Sequence, residues 1–257
     1  LCYQIETMEH VLLFKINRPE KRNAINYDVM DGLKKAIDMT KEQDQIKALV
    51  LTGTGSAFCS GGDIEAFHSL RTQQEAHFML SKMGAIIYEL ATLPKVTIAL
   101  INGTAIGGGC ELAAACDFRI AHSCAKMGFI QANLAITTGW GGGTLLYERL
   151  VPSQALHMLT TAGVYQAKDL HENGFIDYLV EDQSFNHVLE LLNPILLKNV
   201  HVLVAYKQML IKKWKREDLQ DQISSEIMEC SRLWEKQEHH DAVEQFLNSS
   251  SLKNTKS

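Results

Sequence analysis

The sequence predicts an α/β fold. Three observations carry this: apolar, β-branched runs recur at 11–18, 46–55 and 95–103, helical periodicity fills the stretches between them, and the alternation holds across the first 130 residues. VLLFKINR (11–18) is a strand by content, and Pro19 stops it. In the segment that follows, Ile25, Val29, Leu33 and Ile37 recur at four-residue steps, the period of one helix face. IKALVLTGTG (46–55) is a second strand ending in a glycine turn, SKMGAIIYELATL (81–93) is helical, and KVTIALING (95–103) is a third strand that runs directly into glycines. ELAAACDFRIAH (111–122) begins as a helix of small residues and becomes a strand near Phe118. Past residue 145 the texture changes to short helical segments, and NPILLKNV opens a helix-rich tail reaching Phe246. The final SSSLKNTKS (249–257) is expected to be disordered. The simplest partition is a core over 1–190 and a helical extension over 191–257.

A chain of 257 residues that is 46% hydrophobic and 21% charged can bury a substantial core. Its 25 basic and 30 acidic residues give a net charge of −5, which leaves no surplus of positive charge to neutralise a phosphate backbone. No nucleic-acid partner is expected. No run of eighteen apolar residues occurs, so no membrane span is expected either. LCYQIETMEH has neither a basic nor an apolar leader region, and the expectation is a cytoplasmic protein, with an organellar matrix left open. The six cysteines form no CxxC pair and the ten histidines are scattered, so no metal is expected.

Two glycine turns follow apolar strands: AFCSGGDIEAF (57–67) and GTAIGGGCELA (103–113). A strand, a tight turn and a helix start expose backbone N–H groups where partial positive charge favours an anion. Each turn is a candidate oxyanion donor; the other reading of the glycines is close strand–helix packing. Neither is a nucleotide loop, because Cys110 and Glu111 stand where a phosphate loop needs its lysine, and GxGxxG is not met. Glu111 falls in the first turn of the helix. On an exposed helix it would simply complement the dipole. In a segment as apolar as LAAAC, its carboxylate needs a partner or a chemical task.

The segments NRPEKRNAI, AFCSGGDI, INGTAIGGGCELAAACDFRIA and GWGGGTLLYERLVPSQAL, in that order over roughly residues 3–180, resemble the crotonase family, also called the enoyl-CoA hydratase/isomerase family. The resemblance implies a spiral of ββα units with a helical C-terminal region that builds homotrimers or dimers of trimers. It also implies an acyl-CoA thioester substrate, so that CoA arrives with the substrate and no separate cofactor is needed. By position, it assigns the N–H groups of Gly62 and Gly108 to the thioester carbonyl. Gly62, Asp63, Ile64 and Glu65 fall to the acyl-CoA site, and Lys21, Arg22 and Ala24 to the nucleotide end. Two such donors stabilise an enolate oxyanion by about 3 kcal/mol each.

Hydratases of the family resemble one another in carrying a second glutamate 20 residues after the first, and here that position is Gln131. Adding water to a double bond requires one group to activate the water and another to deliver a proton. A glutamine can orient a water but exchanges no proton usefully near neutral pH. The expectation is therefore Glu111 as the surviving carboxylate beside an intact oxyanion site, with hydration by paired glutamates disfavoured. FIQANLAITTGWGG, Trp140 included, resembles the branch that decarboxylates methylmalonyl- or ethylmalonyl-type thioesters. The alternatives to a hydratase or isomerase are that decarboxylation and a catalytically silent CoA-thioester binder. Trp140 reads as a pocket wall or a core residue, and His68 and His122 as auxiliary acids or ordinary histidines. Leu191, Leu192, Ile195, Leu196, Val200, Leu203 and Val204 exceed what a solvated helix exposes, and they are expected to form a subunit contact.

Overall fold

A computed structural model describes residues 1–182 and 184–254, with the side chains from 249 onward outside that description. Every residue of β2 (Val11–Ile16) except Lys15 is buried, because the strand lies in a sheet covered on both faces. It pairs antiparallel with β1 (Tyr3–Met8) and parallel with β3 (Ala48–Gly53). The sheet continues through β5 (Val96–Ile101), β7 (Phe118–His122) and β10 (Tyr178–Val180), all parallel. α1 (Tyr27–Glu42) lies between β2 and β3, capped by the Asn26 side chain, and buries Val29, Leu33 and Ile37 as their spacing predicts.

After β3, β5 and β7 the chain makes a second, shorter strand: β4 (Ala57–Cys59), β6 (Thr104–Ile106) and β8 (Lys126–Gly128). These three lie side by side and parallel in a separate sheet, which β9 (Tyr165–Gln166) extends antiparallel. Each strand pair then leads into helix: α2 (Ile64–Phe67) and α3 (Gln73–Ala91), α4 (Gly108–Ala115), and a 3-10 turn over Gln131–Leu134 followed by α5 (Gly142–Arg149). This is the expected spiral of ββα units. α6 (Pro152–Thr161) and α7 (Ala167–Glu172) precede β10.

The C-terminal region corrects several expectations. α8 (Phe185–Leu196) begins before NPILL and contains Pro194, and the 190/191 division falls inside it. Its Val188, Leu192 and Leu196 cover the second face of the large sheet, against Val11, Leu13, Val50 and Ile98, with Leu191 and Ile195 partly buried alongside. Four of the residues assigned to a subunit contact are thus satisfied within the chain. α9 (Val200–Arg216) is tied to the core by Lys207, which pairs with Asp117, and leaves Val202, Tyr206 and Met209 exposed. α10 (Leu219–Trp234) packs on α3 and α5 and buries Ile223, Ile227 and Cys230, so this part of the helical extension belongs to the core. α11 (Gln237–Asn254) stays helical where disorder was expected from 249, and residues 255–257 lie outside the described residues.

Among the described residues, no single helix is long and apolar enough to cross a membrane; α8 and α9 reach that length only as a pair bent by 84°. No three His, Cys, Asp or Glu side chains among the described residues gather as metal ligands would.

Candidate active site

The two glycine turns sit at the ends of neighbouring strands β4 and β6, so the second sheet brings them together. Ile25 N–H donates to the Gly61 carbonyl (2.8 Å) and Asp63 N–H donates to the Ile25 carbonyl (2.9 Å). A parallel bridge engages the residues on either side and leaves the Gly62 N–H directed away from it. Gly108 opens α4, where first-turn N–H groups have no acceptor within the helix. Among the described residues, neither of these two N–H groups donates a hydrogen bond.

A Cβ added to Gly61 would lie 3.3 Å from the Gly108 nitrogen, so the turns are in contact. The buried Trp140 indole lies across both: a Cβ on Gly62 would stand 3.6 Å from its Cζ2, and one on Gly108 only 2.1 Å from its Cζ3. The packing reading of the glycines holds as well, on a different residue. A Cβ on Gly109 would meet the Cys59 carbonyl oxygen at 2.1 Å, which only glycine permits where β4 lies against α4.

Glu111 is 2% exposed and accepts hydrogen bonds on both oxygens. Its Oε2 accepts from the N–H groups of Trp140 (2.8 Å) and Gly142 (2.9 Å). Its Oε1 accepts from Gln131 Nε2 (2.9 Å), with a longer contact to Gly139 N–H (3.4 Å). Burial, followed by the charge of Glu226, raises the Glu111 carboxyl to about 7, while the N–H groups of Trp140, Gly142 and Gly139 pull it back down. Both protonation states are therefore accessible near neutral pH. Gln131 is buried, and its Oε1 has no hydrogen-bond partner. An amide serves both states of the acid: Nε2–H donates to the carboxylate, and after rotation Oε1 accepts from the carboxylic O–H. Beside it opens a cavity of 360 Å³ lined by Phe129, Ile136, Thr138 and Leu159 as well as Gln131.

The remaining sequence-predicted residues gather at a neighbouring rim. Exposed Glu65 pairs with Lys21 at 2.5 Å, and half-buried Ile64 opens α2. Arg22 adopts φ +51, and its carbonyl accepts from Ser60 N–H (3.1 Å), which ties the 18–24 loop to the first glycine turn. The carbonyl of buried Ala24 accepts from Arg18 Nη1 (2.6 Å). Asp63 is occupied: it accepts from Arg18 Nη2 (2.7 Å) and from the N–H groups of Glu65 and Ala66 at the start of α2. It braces the turn instead of offering free oxygens to a ligand. Arg18 was missed by sequence reasoning, since nothing local marks a partner 45 residues away. His68 contacts the Glu65 carbonyl and His122 the Cys124 thiol, and neither bonds Glu111 or Gln131.

A sequence model described as Enoyl-CoA hydratase/isomerase matches residues 6–254. Crotonyl-CoA hydratase of Syntrophomonas wolfei subsp. wolfei is 35% identical over 182 residues, 70% of this chain and 69% of that protein. The mitochondrial methylglutaconyl-CoA hydratase of Homo sapiens is 33% identical over 70% of this chain, but the match spans only 55% of that protein. Ethylmalonyl-CoA decarboxylase of Xenopus laevis is 29% identical over 85% of this chain and 74% of its own. Among solved structures, enoyl-CoA hydratase from Bacillus halodurans matches with a TM-score of 0.87 at 25% identity, covering 95% of this chain and 100% of that one. With a family match over nearly its whole length and a ββα spiral to go with it, the chain belongs to the enoyl-CoA hydratase/isomerase family.

Proposed function

We propose that the protein converts an acyl-CoA thioester through an enolate held by the N–H groups of Gly62 and Gly108, with Glu111 moving a single proton. The observation that carries this reading is the contact between Gln131 Nε2 and Glu111 Oε1, which puts an amide where hydration needs a second titratable group. The thioester oxygen sits against the two unengaged N–H groups, each contributing about 10²- to 10³-fold as charge develops on it. Trp140 walls the glycine side, the cavity beside Gln131 takes the acyl group, and the Lys21, Arg22 and Ala24 loop meets the nucleotide end. CoA enters as part of the substrate, in the cytoplasm or an organellar matrix, and no separate cofactor is invoked.

A second reading, decarboxylation of a malonyl-type thioester, is favoured by the same pair and by the similarity to the Xenopus decarboxylase. The bond from Cα to the carboxylate breaks, CO₂ departs, and its electron pair enters the thioester as the enolate. Protonated Glu111 then delivers its proton to Cα and recovers one from water. No base is needed to start the step.

Purified protein supplied separately with crotonyl-CoA, methylmalonyl-CoA and ethylmalonyl-CoA, with products identified by mass spectrometry, tests both readings. Loss of CO₂ from a malonyl-type thioester supports the decarboxylase. Turnover of none of them, together with retained thioester binding, supports the silent binder and overturns both.

We also propose a homotrimer or a dimer of trimers. Exposed Leu197, Val202, Tyr206 and Met209 form apolar surface along the α8–α9 bend that the chain itself does not cover. Light scattering at micromolar concentration is expected to return a trimer or hexamer; a monomer rules this out.

A further inference from the structure

The turn from Gly139 to Thr144 is held from two sides by carboxylates distant in sequence. Glu111 takes the N–H groups of Gly139, Trp140 and Gly142. Glu226, on α10, takes those of Gly141 (3.1 Å), Gly143 (3.2 Å) and Thr144 (2.7 Å), and the Thr144 hydroxyl as well (2.7 Å). From Trp140 to Gly143, successive N–H groups therefore alternate between the two acids. Gly141, at φ +98, turns the chain so that its neighbours face opposite ways, a conformation that favours glycine. α5 has no cap from its preceding residue, so its orphan first-turn N–H groups rely on these two remote carboxylates, with the Thr138 hydroxyl sharing the Gly143 N–H (3.2 Å).

We propose that Glu226 is a positioning residue for Glu111: it fixes the turn whose N–H groups set where the Glu111 carboxylate points, and so ties α10 to the proton step. The inference rests on the reading that Glu111 moves the proton. Glu226 is not itself a catalytic residue, nor a replacement for the acid absent at 131. Its Oε1 accepts from Gly141 and Gly143 and its Oε2 twice from Thr144, which fills the four acceptor positions of a carboxylate. Its charge adds to the effect of burial in raising the Glu111 carboxyl. The other titratable groups facing Glu111 are Cys110 on α4 and Cys230 on α10, whose thiols burial pushes up, so both stay neutral.

The test is the titration of Glu111 itself, followed by carboxyl NMR of labelled protein, together with turnover of an accepted thioester. In E226Q the amide oxygen still accepts from Gly141 and Gly143 and Nε2 can donate to the Thr144 hydroxyl, so that only the Thr144 N–H loses its acceptor. The charge is gone, so the Glu111 titration drops by about 1 unit and the pH limb of turnover moves with it. E226A leaves the Gly141 and Thr144 N–H groups without an acceptor and the Gly143 N–H with the Thr138 hydroxyl alone (3.2 Å), lets the turn shift, and lowers kcat about 10- to 100-fold with KM little changed. Should E226A fail to fold, T144V removes one hydroxyl contact and gives a smaller loss in the same direction. Folded E226A that keeps the wild-type kcat, or folded E226Q in which Glu111 titrates as in the wild type, overturns the proposal. Retained turnover in E111Q strikes instead at the proton-step reading, and the shift of Glu111 in E226Q still decides the role of Glu226.

Discussion

Replacing Glu111 by glutamine is expected to lower turnover of an accepted acyl-CoA thioester by about 10²- to 10⁴-fold, the share of one general acid or base. The fold should survive. The new amide oxygen accepts from Trp140 and Gly142 as the carboxylate does, and its NH₂ meets Gln131, which rotates to present the Oε1 now lacking a partner. The pH profile separates the two roles open to Glu111, because its carboxyl lies at about 7. As proton donor after decarboxylation, the protonated form is active and turnover falls as pH rises through that value. As a base in isomerisation, turnover rises instead. Either limb disappears in Glu111→Gln, and a limb that persists assigns the proton to another group. Stability gives an independent check. The folded carboxyl lies above its ordinary 4.5, so the wild type loses stability relative to Glu111→Gln as pH rises from 4.5 through about 7, and thermal melts across that window measure it.

The residues that read clearly in the sequence are those whose signal is local. Val11–Ile16, Ala48–Gly53 and Val96–Ile101 are apolar but for Lys15, Thr52 and Thr97 because both faces of their sheet are covered, and α1 declares itself through one periodic face. β4, β6 and β8 have only three residues each, too few to show a period, so AFC, TAI and KMG merge with their turns. Yet these strands are what bring Gly62 and Gly108 together. α8 shows how a correct physical observation misleads about its cause. Leu192 and Leu196 are too apolar for a solvated helix, but the uncovered face belongs to the protein's own sheet. That face was already legible in strands with no polar side. Glu226 carries no local signal at all: it is one of three acids in LQDQISSEIMEC, and its partners are three backbone N–H groups and a hydroxyl some 80 residues earlier, whose directions depend on Gly141. Gln131, by contrast, was found by counting, since a register of 20 residues from Glu111 survives both the 3-10 turn and the strand before it.

Gln131→Glu is expected to raise hydration of crotonyl-CoA by about 10²- to 10⁴-fold over the unmodified protein. The substitution places a second titratable group 2.9 Å from Glu111 Oε1, the separation now held by the amide nitrogen. Two carboxyls that close cannot both be ionised, and Glu111 is already raised by burial, so the pair would hold one proton at neutral pH. One member then activates water while the other protonates Cα, the division of labour that an amide at 131 forbids. A further buried carboxyl costs stability, so a lower melting temperature accompanies the gain. If the unmodified protein hydrates crotonyl-CoA as fast as the variant, the amide is no obstacle and the single-proton reading fails. A variant that folds, titrates as a coupled pair and still hydrates nothing points to the cavity instead. Phe129, Ile136, Thr138 and Leu159 would then fix an acyl group whose β-carbon no water reaches, and shortening Phe129 or Leu159 in the same variant would be expected to admit water and start hydration. Hydration gained by Gln131→Glu alone is the more demanding outcome, because it requires the Gly62 and Gly108 donors, Glu111 and its turn to be competent before the change is made.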